Sequence, residues 1–475
     1  MSDAPRACII GAGPNGLTAA ALLAREGWQV DVFERGDTPG GALRSHHPFG
    51  KHTLVDAGAA AFPFGIASPA FRDLQLENFG LRWRHPDIPM AHPLPNAPAA
   101  LLHDDLTATA ADLGPDAARW RALHADLVAH IDEHLDNFLG PVLRWPPHPL
   151  QMAVFGARGL WPATWLGRAA LRGERARALL AGSAVHAITP PSAPLTGAFG
   201  LVFGALGMSR GWPMVAGGAQ SLADALTAAS VHHGVRVHTG VEIRDVRDLP
   251  EADAVIANLV PAALMRLRGL ELPQRVRRAL SSWRYGAGVF KVDFLLSEPV
   301  PWHDPRVRAA GTVHVGGRAE EIDAAERAVR AGRFPERPFC MVCQPHAADK
   351  TRGDQPVLWT YAHVPRGYVE KRPGEVAELI VRQIERFAPG FRDTIQARHE
   401  TSPAQLEAWN PNLIGGDIAG GAMGGLGALM RPRWSMHPHR LGNGWYLASG
   451  ATPPGAGVHG MCGAWAAAEA LKAVR

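Results

Sequence analysis

The sequence predicts an α/β protein with a parallel-sheet unit at its start, a strand, glycine turn and helix of the same kind at its end, and further strands and helices between them. Three observations carry this. A strand–glycine turn–helix–strand unit opens the chain at residues 6–34. A glycine turn feeding an alanine-rich helix closes it at residues 444–474. Between them, 289–296 and 357–363 alternate like strands, and 116–138, 320–331 and 374–387 read as helices.

Composition bounds the function. The 475 residues are 47 % hydrophobic and 19 % charged, so the chain buries a core and is not disordered. Net charge is +4, and only five of the 48 basic residues are lysines. That balance is too small to point to a nucleic-acid partner. Four cysteines in this length exclude a disulfide framework and fit a reducing, cytoplasmic compartment. The opening residues hold no charged segment followed by a long apolar run, so no secretory leader is expected. The charge-free run 178–209 is interrupted by Pro190, Pro191 and Pro194. Its intact part, 195–209, suits a buried helix better than a membrane span.

The first unit has a physical reason at each position. Residues 6–10 form a short apolar strand that runs into Gly11-Ala12-Gly13-Pro14-Asn15-Gly16. Gly11 permits the tight turn, Gly13 lets the backbone approach a pyrophosphate, and Gly16 lets helix and strand pack closely. The turn, with Pro14 and Asn15 in it, leads into the helical stretch 17–26, whose N-terminus offers free N–H groups and a positive dipole end to phosphates. The second strand, 29–33, ends in Glu34, 18 residues after Gly16, where a carboxylate accepts hydrogen bonds from ribose hydroxyls. Together these make a Rossmann-type dinucleotide site.

The next residues distinguish the dinucleotide. Glu34-Arg35-Gly36-Asp37-Thr38-Pro39-Gly40-Gly41-Ala42-Leu43-Arg44-Ser45 resembles the second signature of the flavin-containing amine oxidase and phytoene desaturase superfamily. The resemblance implies that Arg35, Gly40, Gly41, Ala42, Leu43 and Arg44 hold FAD, with the arginine-bearing loop on the pyrophosphate. At the other end, Gly450-Ala451-Thr452-Pro453-Pro454-Gly455-Ala456-Gly457-Val458-His459-Gly460-Met461-Cys462-Gly463 is similar to the C-terminal flavin motif of phytoene desaturase-like oxidoreductases. More narrowly it resembles the subgroup of pyridine nucleotide-disulphide oxidoreductase domain protein 2. The similarity implies that Gly450, Gly457, Val458, His459 and Met461 lie against the flavin ring. No cysteine precedes this turn where amine oxidases attach their flavin, so the FAD is expected to be non-covalent. A third segment, 211–258, adds the expected strands 235–243 and 252–257. By resemblance, Ile243 stands where family members pair backbone with adenine, and Asn258 ends the second strand.

The resemblance covers nearly the whole chain. It implies a glutathione-reductase-like FAD domain of residues 1–85, 212–265 and 441–475, and an inserted α+β substrate-binding domain of 86–211 and 266–440. Hydride transfer at flavin N5 on an apolar organic substrate is the expected chemistry, as desaturation, saturation or double-bond isomerisation. Amine oxidation with oxygen and a mainly partner-binding role remain open alternatives. Lys291 follows the third segment by one expected helix, 261–281, at the point where flavin amine oxidases place a lysine near N5. Lys291 and His459 are the candidate catalytic residues.

Other signals have plainer readings. Cys340 and Cys343 lie on an expected strand, where positions three apart face opposite sides, so they read as core. His130, Glu133 and His134 match a zinc peptidase pattern but sit in an ordinary amphipathic helix, and no metal is expected. Residues 144–177 hold six arginines against one acid, with Trp145, Trp161 and Trp165 interleaved. This stretch reads as a solvated helical face or a peripheral contact with an anionic membrane. The glycine-rich stretch 410–430 reads as backbone packed over the flavin or lining the substrate cavity. His314 and His363 fall on expected substrate-domain strands, where a core role is as natural as catalysis.

Overall fold

A computed structural model describes residues 4–425 and 430–474. Gly427, part of the glycine-rich stretch, lies outside the described residues. The first sheet has six strands in the order Arg440–Gly442, Trp445–Leu447, Ala254–Ala257, Arg6–Ile10, Gln29–Phe33, Arg236–His238. All pairings are parallel except that of the Arg440–Gly442 edge. Its strands all come from residues 6–33, 236–257 and 440–447. Helices Pro14–Arg25 and Met461–Val474 pack on this sheet, and Ala219–His232 packs against Pro14–Arg25. Ala19, Ala20 and Ala21 are fully buried there, and small side chains allow helices this close. An added Cβ at Gly463 would lie 1.9 Å from Asn15 O, so the last helix meets the first backbone to backbone.

The second sheet has seven strands, ordered Ile395–Thr401, Gly288–Leu296, Val357–Val364, Cys340–Cys343, Ala310–Val315, Ile88–Leu94, Ala97–Leu102. Only the Ile88–Leu94 and Ala310–Val315 pair is parallel. Alternation gives this sheet two different faces. Phe290, Val292, Phe294, Leu358, Val342 and Val313 pack against the Glu375–Glu385 helix through Val376, Ile380 and Ile384. The register puts Lys291 opposite Tyr361, Asp293 opposite Trp359, Cys343 opposite Thr312, and His314 opposite Met341. These residues share the other face, which turns to residues 46–60 of the first domain. Trp359 Nε1 donates to Asp56 O at 2.9 Å. Arg352 ties these segments together by donating to Asp56 Oδ2 at 2.6 Å and Val215 O at 2.8 Å.

Three expected elements differ from the structure. The helix expected at 116–138 is two helices, Ala117–Ala129 and Ile131–Phe138, because the backbone of His130 (φ −119°, ψ 35°) leaves the helical region. His134 then binds Asp126 across the break at 3.0 Å, and no two-histidine helix face exists. The helix expected at 261–281 is divided into Pro261–Leu264 and Gln274–Ser281, with Gly269 at φ +73° and Pro273 between them. The strand expected at 235–243 stops at His238. Gly240 (φ +69°) turns the chain, and Val241 N then donates to Glu34 O at 2.9 Å. The run 195–209 forms the buried helix Thr196–Arg210. Among the described residues no helix is long and apolar enough to cross a membrane.

Candidate cofactor and substrate site

Two glycine turns meet at the C-terminal ends of the parallel strands. An added Cβ at Gly41 (φ +57°) would stand 3.1 Å from the Cα of Gly13, and one at Gly16 would stand 2.1 Å from Gly11 O. Backbone therefore replaces side chains at the helix N-terminus, leaving a cradle for a group that approaches main-chain N–H donors. With its amide oxygen turned to the first glycine turn, Asn258 accepts from Gly13 N and Gly16 N, each at 3.2 Å, and donates to Ala448 O at 2.8 Å.

Beside the cradle lies a cavity of about 660 Å³ whose wall includes Glu34, Arg35, Arg44, Ile243, Asn258 and Trp409. Glu34 is fixed in it by two main-chain donors: Ala12 N to Oε2 and Gly36 N to Oε1, both at 2.8 Å. Each oxygen keeps lone-pair capacity for ribose hydroxyls. Arg35 donates to Trp409 O at 3.1 Å. Arg44 Nη2 donates to Thr38 O at 3.0 Å and stands 3.6 Å from Glu34 Oε1. Arg44 Nε and Asn15 Oδ1 are buried without a partner in the protein. Orphaned buried groups next to an open glycine cradle fit a bound dinucleotide. Leu43 is fully buried in the core beneath the turn, so only its backbone faces the site. Ala42 O would lie 2.2 Å from a Cβ at Gly58, which locks these two loops together.

The C-terminal turn packs over the first glycine turn's domain. Gly450 lies under the glycine-rich stretch: a Cβ at Gly420 (φ +67°) would stand 3.2 Å from Gly450 C. Arg431 is buried there and donates to Gly450 O and Ala419 O, each at 3.0 Å. His459 does not present a free nitrogen. Its Nδ1 accepts from Met461 N at 3.0 Å, capping the last helix, and its backbone carbonyl accepts from Ser68 Oγ at 2.6 Å. Burial pushes its imidazole down to about 4, against a backbone hydrogen bond to Gly455. His459 was expected to be catalytic, and in the structure its Nδ1 is engaged as a cap, because a helix start without a capping side chain demands an acceptor. Cys462 is likewise engaged. Its Sγ faces Thr452 O and Gly455 O, and burial raises its thiol to about 11.

Lys291 is 3 % exposed, on the sheet face that turns to the first domain. Its ammonium contacts Asp293 Oδ2 and stands 5.5 Å from the Trp359 ring centre. Burial lowers its pKa, opposed chiefly by Asp293. His46 and His399 complete a cluster with Asp293 whose ligand atoms lie within 4.8 Å of one another. The carboxylate in that cluster is already committed to Lys291, which sets a like charge beside any cation. Cys340 and Cys343 are buried on opposite sides of their strand, each with its thiol raised by burial. Farther along the same sheet face, His314 Nε2 lies 3.1 Å from His186 Nε2, and burial holds both imidazoles neutral, His186 at about 3. His363 Nδ1 bonds Glu326 Oε1 at 2.9 Å.

Glu326 also borders the larger cavity, of about 990 Å³, with Ile188, Trp283, Met423, Gly424 and Met430. Sequence reasoning did not single out Asp56, Arg352, Gly58, Gly463, Trp359 or Glu326. Asp56 lies 303 positions from Trp359 and 296 from Arg352, and only the glycines carried a local signal.

A family model for flavin containing amine oxidoreductase matches residues 15–470. The chain belongs to this family. Its cofactor is FAD, and the residues of the cradle described above fit that group. Over 96 % of its length it is 27 % identical to hydroxyneurosporene desaturase of Cereibacter sphaeroides, covering 94 % of that protein. It is 26 % identical to pyridine nucleotide-disulfide oxidoreductase domain-containing protein 2 of Rattus norvegicus, covering 96 % of this chain and 91 % of that one. A putrescine oxidase variant redesigned in its cofactor binding shares the fold, with a TM-score of 0.64 at 18 % identity and 99 % of both chains covered. The protein is a flavin-containing oxidoreductase of α/β fold.

Proposed function

We propose that this oxidoreductase acts on an apolar organic substrate, desaturating, saturating or isomerising a carbon–carbon bond. The observation that carries this reading is the charge of the larger cavity. Arg284, Arg330 and Arg366 stand exposed on its rim, and the one acid among its described lining residues, Glu326, is taken up by His363. A protonated amine would meet net positive charge there, whereas an uncharged molecule would not. The likeness to hydroxyneurosporene desaturase over nearly the full chain supports the same choice.

When bound, FAD supplies the hydride acceptor or donor, its N5. The chain's residues do the rest. Glu34, Arg44 and the paired glycine turns bind and orient the cofactor without a covalent link. The apolar core behind the second sheet and the buried Arg431 clamp exclude water from the flavin turn. Lys291, with its charge set against Asp293, supplies a fixed positive charge on the sheet face turned to the FAD domain, where it can hold a water.

Anaerobic mixing of the purified holoenzyme with candidate substrates tests this. A hydrocarbon that is desaturated should bleach the visible absorbance of the oxidised flavin, and one that is saturated should restore it in enzyme reduced beforehand. One that is isomerised should yield a shifted double bond with no net bleaching. Aliphatic amines should do none of these. Bleaching by amines and none of these changes with hydrocarbons would establish the amine oxidase reading instead.

A further inference from the structure

Residues 142–172 form a surface unlike the rest of the molecule. Val142, Trp145, Leu150, Leu160, Trp161 and Trp165 are all exposed, Trp145 at 84 % and Leu150 at 71 %. These are six of the fourteen large hydrophobic side chains exposed in the described structure, gathered within 24 positions. Every other exposed residue between Trp145 and Trp165 is a proline or an alanine. On the Pro149–Gly159 helix the exposed positions Leu150, Ala153 and Ala157 share one face, and that stripe continues into Trp161, which stacks on Trp165 at 6.0 Å. Exposed Arg168 and Arg172 follow directly. Tryptophan and leucine thus share this surface with exposed arginine.

The surface is also placed beside the larger cavity. Pro190 and Pro194 line that cavity. The same segment is tied to the apolar surface by Thr164 N donating to Pro191 O, Leu195 N to Leu160 O, and Gly197 N to Trp161 O, at 2.9–3.2 Å. Arg168 lies 3.6 Å from Glu320, at the start of the Ala319–Arg330 helix, whose Glu326 and Arg330 border the cavity.

We propose that this Trp-bearing surface docks the enzyme on an anionic lipid bilayer, lying in the interface without crossing it, with the mouth of the larger cavity turned towards the lipid. Three features select a bilayer as the occupant. Tryptophan with its apolar body and polar N–H suits the headgroup boundary. The arginines that follow the apolar face complement anionic headgroups, as do Arg284, Arg330 and Arg366 on the cavity rim. The basic side chains that this face leaves exposed, Arg168 and Arg172, follow its tryptophans directly and match an anionic surface better than a second copy of the same face, which carries the same two cations. The position next to the cavity lets an apolar molecule pass between bilayer and enzyme without crossing water.

Flotation of the FAD-loaded protein with phosphatidylcholine vesicles, with and without phosphatidylglycerol, tests the proposal. The wild type should float with the anionic vesicles, and raised salt should weaken that. Replacing Trp145, Trp161 and Trp165 together by Ser should lower the bound fraction roughly tenfold while flavin absorbance and thermal midpoint stay unchanged. Arg168→Glu with Arg172→Glu should reduce binding to anionic vesicles and leave weak binding to neutral ones. Failure of the wild type to float overturns the proposal, as does equal binding by the Trp variant. So does a wild-type dimer that ignores vesicles and dissociates in the Trp variant, which would make a second copy the occupant.

Discussion

Replacing Lys291 alone by Met should harm the fold more than replacing Lys291 and Asp293 together. The two side chains are 4 % and 0 % exposed and contact each other directly. The second oxygen of Asp293 has no hydrogen-bond partner. Methionine keeps the length of lysine but leaves this carboxylate buried without its ammonium. Removing one partner of a buried pair costs about 3–5 kcal/mol, whereas exchanging both for neutral groups of similar size is often near neutral. Lys291→Met is expected to cost about 3 kcal/mol, and Lys291→Met with Asp293→Asn about 1 kcal/mol or less. Urea midpoints at constant slope measure both. A pH signature accompanies them. His399 Nδ1 lies 3.8 Å from Asp293, and burial, then Lys291, holds His46 down at about 4. Without the ammonium the folded-state pKa of His46 rises, so protonation restores stability as pH falls. The deficit of the single variant should therefore be larger above about pH 7 than near pH 6. If the single substitution costs no more than the double, or its deficit does not shrink with falling pH, the pair is not the electrostatic unit argued here.

Glu34→Ala removes the acceptor of Ala12 N and Gly36 N as well as that of the ribose, and should weaken FAD binding about 5- to 150-fold, read by titrating apoprotein. An unchanged affinity would show that the carboxylate serves only its own loop. Gly463→Ala puts a methyl 1.9 Å from Asn15 O and should cost about 2 kcal/mol or more of stability together with bound flavin. A wild-type urea midpoint would mean that the two helices part more easily than their packing indicates. His92, His124, His186, His314, His439 and His459 are all depressed by burial, most of them to about 4. The unfolded chain then binds protons that the fold excludes, so stability should fall as pH drops from about 6.5 towards 4. A urea midpoint that is flat over that range would contradict their neutral burial.

The N-terminal unit was legible because its meaning is local. Gly11, Gly13, Gly16 and Glu34 are set by the geometry of one strand–turn–helix–strand unit, and the structure holds Glu34 on main-chain donors inside that same unit. Strand parity was legible for the same reason: positions two apart on a strand face one way, so Lys291 and Asp293 had to share a side. What parity cannot show is who stands opposite. The Arg352–Asp56 contact spans 296 positions and Trp359–Asp56 spans 303, and no periodic pattern records such distances. Direction within a motif is equally hidden. The residues around His459 marked a flavin turn, but the way its ring points is decided by the uncapped N–H of Met461, a demand made by the helix and not by the cofactor. The same limit holds for the 144–177 stretch. Its arginines and tryptophans left a solvated face and a peripheral membrane contact both open, because a linear reading does not show which side chains turn inward. Once folded, Arg144, Arg158 and Arg177 donate to backbone carbonyls and Arg175 pairs with Asp112, so tryptophan and leucine stand exposed with only Arg168 and Arg172 of the six arginines beside them. The same four arginines that made the stretch look polar are the ones that, by turning inward, let its apolar face stand out.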